Sequence, residues 1–480
     1  MMPLKSKWQK LPLALKVSAA YAICSTLQRC LSFITLPIFT RLLTTEQYGQ
    51  VTIYSSWSSI LSIFLTLNLA FGSFSTAMIK FENDRNGYIS SIECLCLVFS
   101  TAFLLLYLPL QDWWNRLFKL PTYIICLMIA EIISTNSLLF WNGKKRFEYK
   151  YVGVIAITLL ISIITPLIQY IFVINSNDRG YARILGGAVV NIIVGTVFFI
   201  HNVLAGKKVF DKKYWIYALS FNIPLLAYYL SQFIFNQSDR IMINHMIGTD
   251  KAGIYGVAYS LATVLTFVLS AINSSYVPWF YRKIKDGKAE DNQTIANKIS
   301  VLMALLLSSV IWFAPEIIKI MAGEKYSEAI YIVMPVTISI LLLFYTQLFG
   351  NVEFYYEEKM KLIWASIGAA LVNIFLNYIF IQKYGFIAAA YTTLLSYLIF
   401  CYSNYLAMKK ILTDRDLDDI AYDYRTLIAI FIIFCVCSVL GVLLYQVLSV
   451  RLSIAMVVFA YFIKERKFFL TFEPKGSAMI

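Results

Sequence analysis

Charge is scarce in this sequence. Asp, Glu, Lys and Arg make up 14% of 480 residues, against roughly 25% in soluble domains. So few charges cannot cover the surface of a soluble protein this long, and that class is excluded. Histidine is scarcer still: His201 and His245 are the two present. A His-rich metal site or a haem ladder therefore has no ligands. The eight cysteines form no CxxC pair and fall mostly inside apolar runs, where a free thiol behaves as a small buried hydrophobe. Neither a disulfide framework nor a zinc site is supported, and no metal site is expected. There is no GxxxxGK[ST] stretch to cradle nucleotide phosphates. The basic N-terminal segment with Lys5, Lys7, Lys10 and Lys16 lacks a small-residue cleavage site. It reads as the flank of a retained first helix.

What the chain has is apolar length: 59% of its residues are hydrophobic and 16% aromatic. A membrane helix needs about 20 apolar residues, and fourteen such stretches alternate with charged connections. They run at 13–38, 51–74, 89–110, 121–141, 151–174, 183–201, 215–238, 252–272, 296–314, 329–350, 361–381, 386–408, 425–446 and 449–463. The expected fold class is an all-α polytopic membrane protein. No connection is long enough to hold a soluble domain. The excess of Lys and Arg falls in the N-terminus, in every second connection and in the C-terminal tail. Basic loops stay cytoplasmic, so both termini are expected inside, which an even number of spans satisfies. The net charge of +14 is thereby spread over small patches on one side, and nucleic acid is not an expected partner.

The chain also repeats itself. Thr45-Glu46-Gln47-Tyr48-Gly49 after the first stretch matches Thr249-Asp250-Lys251-Ala252-Gly253 after the seventh. Gln169-Tyr170-Ile171-Phe172 matches Asn377-Tyr378-Ile379-Phe380, and Gly180-Tyr181 matches Gly385-Phe386. The offsets are nearly constant, which implies two six-helix lobes in parallel orientation around a central cavity. The boundaries read as 1–213 for the first lobe, 214–413 for the second, and 414–480 for two further helices and a cytoplasmic tail.

The same segments carry a family resemblance. LPIFTRLLTTEQYGQVTIYSS (36–56), SDRIMINHMIGTDKAGIYGVAYSLA (238–262) and VPWFYRKIKDG (277–287) resemble signatures of the polysaccharide-transport, or Wzx-type, oligosaccharide flippases. So do APEIIKIMAGEKYSEA (314–329) and LVNIFLNYIFIQKYGFIAAAYTT (371–393). These belong to the multidrug/oligosaccharidyl-lipid/polysaccharide (MOP) exporter superfamily, and the resemblance spans about residues 20 to 405. It implies a V-shaped pair of lobes and a transporter, not an enzyme. The implied substrate is a polyprenyl-pyrophosphate-linked oligosaccharide, moved to the outer leaflet of a bacterial inner membrane for O-antigen, capsule or exopolysaccharide assembly. Membrane lipid, a polysaccharide polymerase and a chain-length regulator are the implied partners. No cofactor is expected, with coupling to H+ or Na+ left open.

Such a substrate needs cations and hydrogen-bond donors at membrane depth. Arg29 lies near the middle of the first stretch beside Gln28; an Arg there costs about 2.5–3.5 kcal/mol on insertion scales and marks a functional candidate. The planar guanidinium suits phosphate oxygens. The alternative is an ion pair with Glu131, central in the fourth stretch, which is itself a candidate for ion coupling. Asn136, one turn on, Arg41 after Pro37, and the pair Asp239–Arg240 complete the substrate candidates. Arg41 reads equally as an interfacial anchor, and so does Glu93. Pro37, Pro166, Pro224 and Pro335 are expected bending points or packing devices.

Two other readings compete. A cation-coupled drug exporter of the same superfamily usually has twelve spans, and the segment 36–56 argues against it. A membrane polysaccharide polymerase or glycosyltransferase would carry a large outer loop or a DxD-like pair; Asp414, Asp416, Asp418 and Asp419 come nearest, mixed with Arg415 in an expected solvated loop.

Overall fold

A computed structural model describes residues 13–288, 290–415, 422–454 and 456. Among them every regular element is a helix, as a lipid-embedded backbone with no water to bond demands. Eleven helical segments of the described residues are long and apolar enough to cross a bilayer. The chain is a multi-pass membrane protein. The expected count of fourteen spans is not established. Two of the missing places are filled by helices, Thr45–Thr66 and Ala388–Thr413, that are rich in Ser, Thr and Tyr. Their hydroxyls bond inside their own unit or to their own backbone, as Thr52 does to the Tyr48 carbonyl and Ser396 to that of Thr392. They overlap the expected stretches 51–74 and 386–408, and their polar content keeps them out of the eleven. The last expected stretch, 449–463, runs beyond the described residues.

The chain divides into two compact units, 1–244 and 245–480. The repeat boundary read from sequence lies earlier, at 213/214. The helix between these points, Lys212–Met246, is bound to the first unit along its length. Trp215 Nε1 donates to the Ser91 carbonyl at 3.0 Å, Asn222 Nδ2 to Ser73 Oγ at 2.7 Å, and Lys119 Nζ to the Asn244 carbonyl at 2.8 Å.

In the first unit the helices are α1 (Leu13–Leu42), α2 (Thr45–Thr66), α3 (Phe74–Lys80), α4 (Arg85–Tyr107), α5 (Gln111–Phe118), α6 (Thr122–Phe147), α7 (Tyr151–Ile174), α8 (Arg179–Gly206) and α9 (Lys212–Met246). Helix α8 is the hub, packed on α6, α7, α4 and α2, while α1 packs on α7. Small residues permit this closeness, as is usual where lipid gives helices no hydrophobic drive to associate. A Cβ on Gly195 would lie 2.2 Å from the Ser134 carbonyl oxygen, so α6 and α8 touch backbone to backbone there. The start of α2 is a capping box: Thr44 accepts from the Gln47 amide at 3.1 Å, and the Gln47 side chain accepts from the Thr44 amide at 3.1 Å. Thr44 with Gln47 is thus, locally, a helix-start device, whereas the matching start of the second unit has Gly248 at that place.

The second unit holds α10 (Thr249–Thr263), α11 (Thr266–Lys285), α12 (Asp291–Trp312), α13 (Ala314–Met321), α14 (Ile330–Tyr355), α15 (Lys359–Tyr384), α16 (Ala388–Thr413) and α17 (Tyr424–Leu443). The repeat is visible in these bounds. Helices α6 and α14 are each 26 residues long, and α5 and α13 each 8. The four prolines lie inside α1, α7, α9 and α14, each within one continuous helix. At the end of α12, Arg451 makes a bidentate pair with Glu316 at 2.8 and 2.7 Å. Its guanidinium also donates to the carbonyls of Trp312 at 2.6 Å and Tyr445 at 3.0 Å. The Arg451 side chain is 2% exposed, and Trp312 Nε1 donates to the Cys437 carbonyl at 3.1 Å. The residues after α17 are thereby fastened to α12 and α13.

Candidate functional site

A carboxylate cluster of the first unit forms where α2, α6 and α8 meet. Glu131 is half-buried on α6. Its Oε2 accepts from the Tyr54 hydroxyl of α2, and its Oε1 from Asn191 Nδ2 of α8 at 2.7 Å. Each carboxylate oxygen has one neutral donor, Tyr54 on one side and Asn191 on the other.

The other face of α2 carries a second polar set. Ser56 donates to Gln237 Oε1 of α9 at 3.1 Å, and Arg240 Nη1 donates to the same oxygen at 2.6 Å. Asp239 beside it is 2% exposed. Tyr54 and Ser56 are two positions apart on one helix, so α2 presents one polar group to each cluster.

The remaining expected residues do not converge on Glu131. Arg29 is half-buried on α1, and the neighbouring Gln28 amide donates to Ser162 Oγ of α7 at 3.1 Å. Arg41 is exposed in the last turn of α1. Asn136 is buried and turned to α4, where its Nδ2 donates to Cys96 Sγ at 3.4 Å, which places it in a helix contact. Glu93, expected as an interfacial anchor, is instead 2% exposed, accepting from Asn202 Nδ2 at 2.6 Å. Asp414 is exposed; Asp416, Asp418 and Asp419 lie outside the described residues.

Sequence reasoning missed Asn191, Asn202 and Glu353. Glu353 in α14 is 0% exposed, and neither carboxylate oxygen has a hydrogen-bond partner. It was legible only as a charge just past the apolar stretch 329–350. The two units also differ at the Glu131 position. Aligning α6 with α14 puts Ser339 there, and its hydroxyl is satisfied by the Pro335 carbonyl of its own helix at 2.9 Å. Among the described residues, no group of three His, Cys, Asp or Glu could hold a metal ion.

The profile of a family described as polysaccharide biosynthesis protein matches residues 14–284, more than half of the chain. The chain belongs to that family. Among curated relatives, the family member is 24% identical over 382 residues to Lsg locus putative protein 1 of Haemophilus influenzae, covering 75% of this chain and 89% of the relative. A second Haemophilus influenzae relative, an uncharacterized membrane protein, is 22% identical over 378 residues, covering 75% and 88%. Among solved structures, the lipid II flippase MurJ in an inward closed conformation aligns with a TM-score of 0.70 at 14% identity, over 93% of this chain and 99% of that one. An inward-facing multidrug resistance MATE family transporter of the MOP superfamily aligns at 0.61 and 13% identity, over 80% and 95%. The fold of this family member is therefore the MOP fold, and the resemblance drawn from its sequence is borne out.

Proposed function

We propose that this protein is a flippase that carries a polyprenyl-pyrophosphate-linked oligosaccharide from the cytoplasmic to the outer leaflet of a bacterial inner membrane. The observation carrying this reading is the union of a polysaccharide-biosynthesis family match with a flippase fold along nearly the whole chain. The product would feed O-antigen, capsule or exopolysaccharide assembly, with a polymerase and a chain-length regulator downstream. The charge distribution supports cytoplasmic termini. Arg29 is the cation we assign to the pyrophosphate, with Gln28, Arg41, Asp239 and Arg240 supplying further polar contacts. Glu131 is the group we assign to H+ or Na+ coupling, because it is a membrane carboxylate with neutral partners.

The test is depletion in the native bacterium. Lipid-linked repeat units should accumulate on the cytoplasmic face, inaccessible to an added impermeant glycosidase, and surface polysaccharide should disappear. Unchanged polysaccharide together with new sensitivity to cationic drugs would instead establish the drug-exporter reading.

A further inference from the structure

The repeated Gly-aromatic pair has a structural role that the Glu131 cluster does not use. In the first unit, Gly180 and Tyr181 open α8 directly against the start of α2. A Cβ on Gly180 would lie 1.9 Å from Gln50 Oε1 and 2.9 Å from the Gln47 carbonyl oxygen, so only glycine allows this approach. Beside it, where α6 begins and α7 ends, is an open cleft of about 440 Å3, within the roughly 300–1,000 Å3 of small-molecule pockets.

Two tyrosines form a corner of the cleft. The rings of Tyr123 and Tyr181 stand 6.1 Å apart at 70°, with Phe172 as a further wall. Tyr123 is 53% exposed. Asn175, Ser176 and Asp178 share the lining as polar side chains. Asp178 Oδ1 caps α8 by accepting from the Tyr181 amide at 3.3 Å, a bond that does not use Oδ2. Aromatic faces attract the polarised C–H groups of a pyranose ring, and a carboxylate and an amide are suited to its hydroxyls.

The second unit carries a different aromatic at the matching start of α16. Phe386 replaces Tyr181 and is 7% exposed. Lys251, which replaces Gln47, lies 5.2 Å over the Phe386 ring and pairs with Glu328 at 2.7 and 2.9 Å. At the Tyr123 position the second unit has Tyr331, 49% exposed, so the two copies differ at the second aromatic of the corner.

We propose that the Tyr123–Tyr181 cleft is a glycan subsite that takes one sugar ring of the translocated oligosaccharide at the outer membrane face. The side assignment follows from the charge distribution, and the link to transport rests on the flippase reading above.

Saturation-transfer NMR on the full chain in nanodiscs tests it, with N-acetylglucosamine, galactose, mannose, rhamnose and glucuronic acid each offered alone. At least one sugar should receive saturation. The signal should fall at least fivefold in Tyr123→Ala/Tyr181→Ala and stay within twofold in Tyr181→Phe. Asp178→Asn keeps the helix cap, since Asn caps as well as Asp, and should cut the same signal at least threefold; it serves if the double alanine variant fails to fold. Transfer to none of the five sugars, or equal transfer in the variants, overturns the subsite. Polysaccharide export is scored separately in complemented cells. Export without sugar binding in the wild type removes the cleft alone; sugar binding without export removes the flippase reading and leaves the cleft standing.

Discussion

At residue scale, the geometry of Glu131 changes what its substitution should do. An Arg29–Glu131 ion pair would make the double variant better than either single, because removing both partners of a buried pair avoids an uncompensated charge. With Tyr54 and Asn191 as the carboxylate's partners, the effects of Arg29→Ala and Glu131→Ala should add instead, as those of independent sites do. Export and membrane abundance of the single and double variants check this; recovery in the double would restore the ion pair. Glu131→Gln is expected to lower export more than tenfold at near-normal abundance, because an amide cannot take up or release a coupling proton. Arg29 and Glu131 could be read in the sequence because a charge in an apolar run stands out. Their partners could not. Nothing in the sequence says which face of α2 or α8 meets α6, so Asn191 looked like any other polar residue near a helix middle.

At the scale of elements, close approach and capping decide. Gly→Ala inside a helix normally gains about 0.8–1 kcal/mol of propensity. At Gly195 the new methyl group would meet backbone at 2.2 Å, and overpacking costs typically about 1–3 kcal/mol. Gly195→Ala should therefore lower the melting temperature of the detergent-solubilised protein, with the opposite sign to a surface glycine. Acid should act on the Arg451 clamp. The hydrogen bond from Arg451 holds the Glu316 carboxyl below its ordinary value of 4.5. A depressed carboxyl stabilises above its unfolded pKa and loses that contribution as pH falls through the folded one. Melting followed from pH 7 down to pH 3 should show a steeper decline in the wild type than in Glu316→Gln. Equal slopes would mean that the pair contributes nothing measurable. The cap at Thr44 was within reach of the sequence, because it depends on residues within one turn. Arg451 was not, because its partner lies 135 positions away.

At the scale of the whole molecule, composition and periodicity carried the reading furthest. The all-helical membrane fold follows from a pattern that lipid imposes along the whole chain, whereas the repeat and the superfamily were read from matched segments and resembling motifs. The span count is less direct, because α2 and α16 are rich in Ser, Thr and Tyr and do not stand among the eleven strongly apolar segments. Topology reporters bear on the count directly. Fusions near residues 145, 210 and 285 should report the cytoplasm and those near 115 and 325 the outside, if basic loops stay inside. Reporters at 145 and 325 on the same side would break the alternation on which fourteen spans rest.

The unequal lobes have a consequence for how such a chain can be rebuilt. Two pairs of matching helices have equal lengths, yet Ser339 stands where the first half has Glu131, and Phe386 stands where it has Tyr181. The frame recurs in both copies; the Glu131 carboxylate does not. A chain assembled from two second halves should insert into the membrane and remain silent, whereas two first halves would carry duplicate chemistry on an unchanged frame.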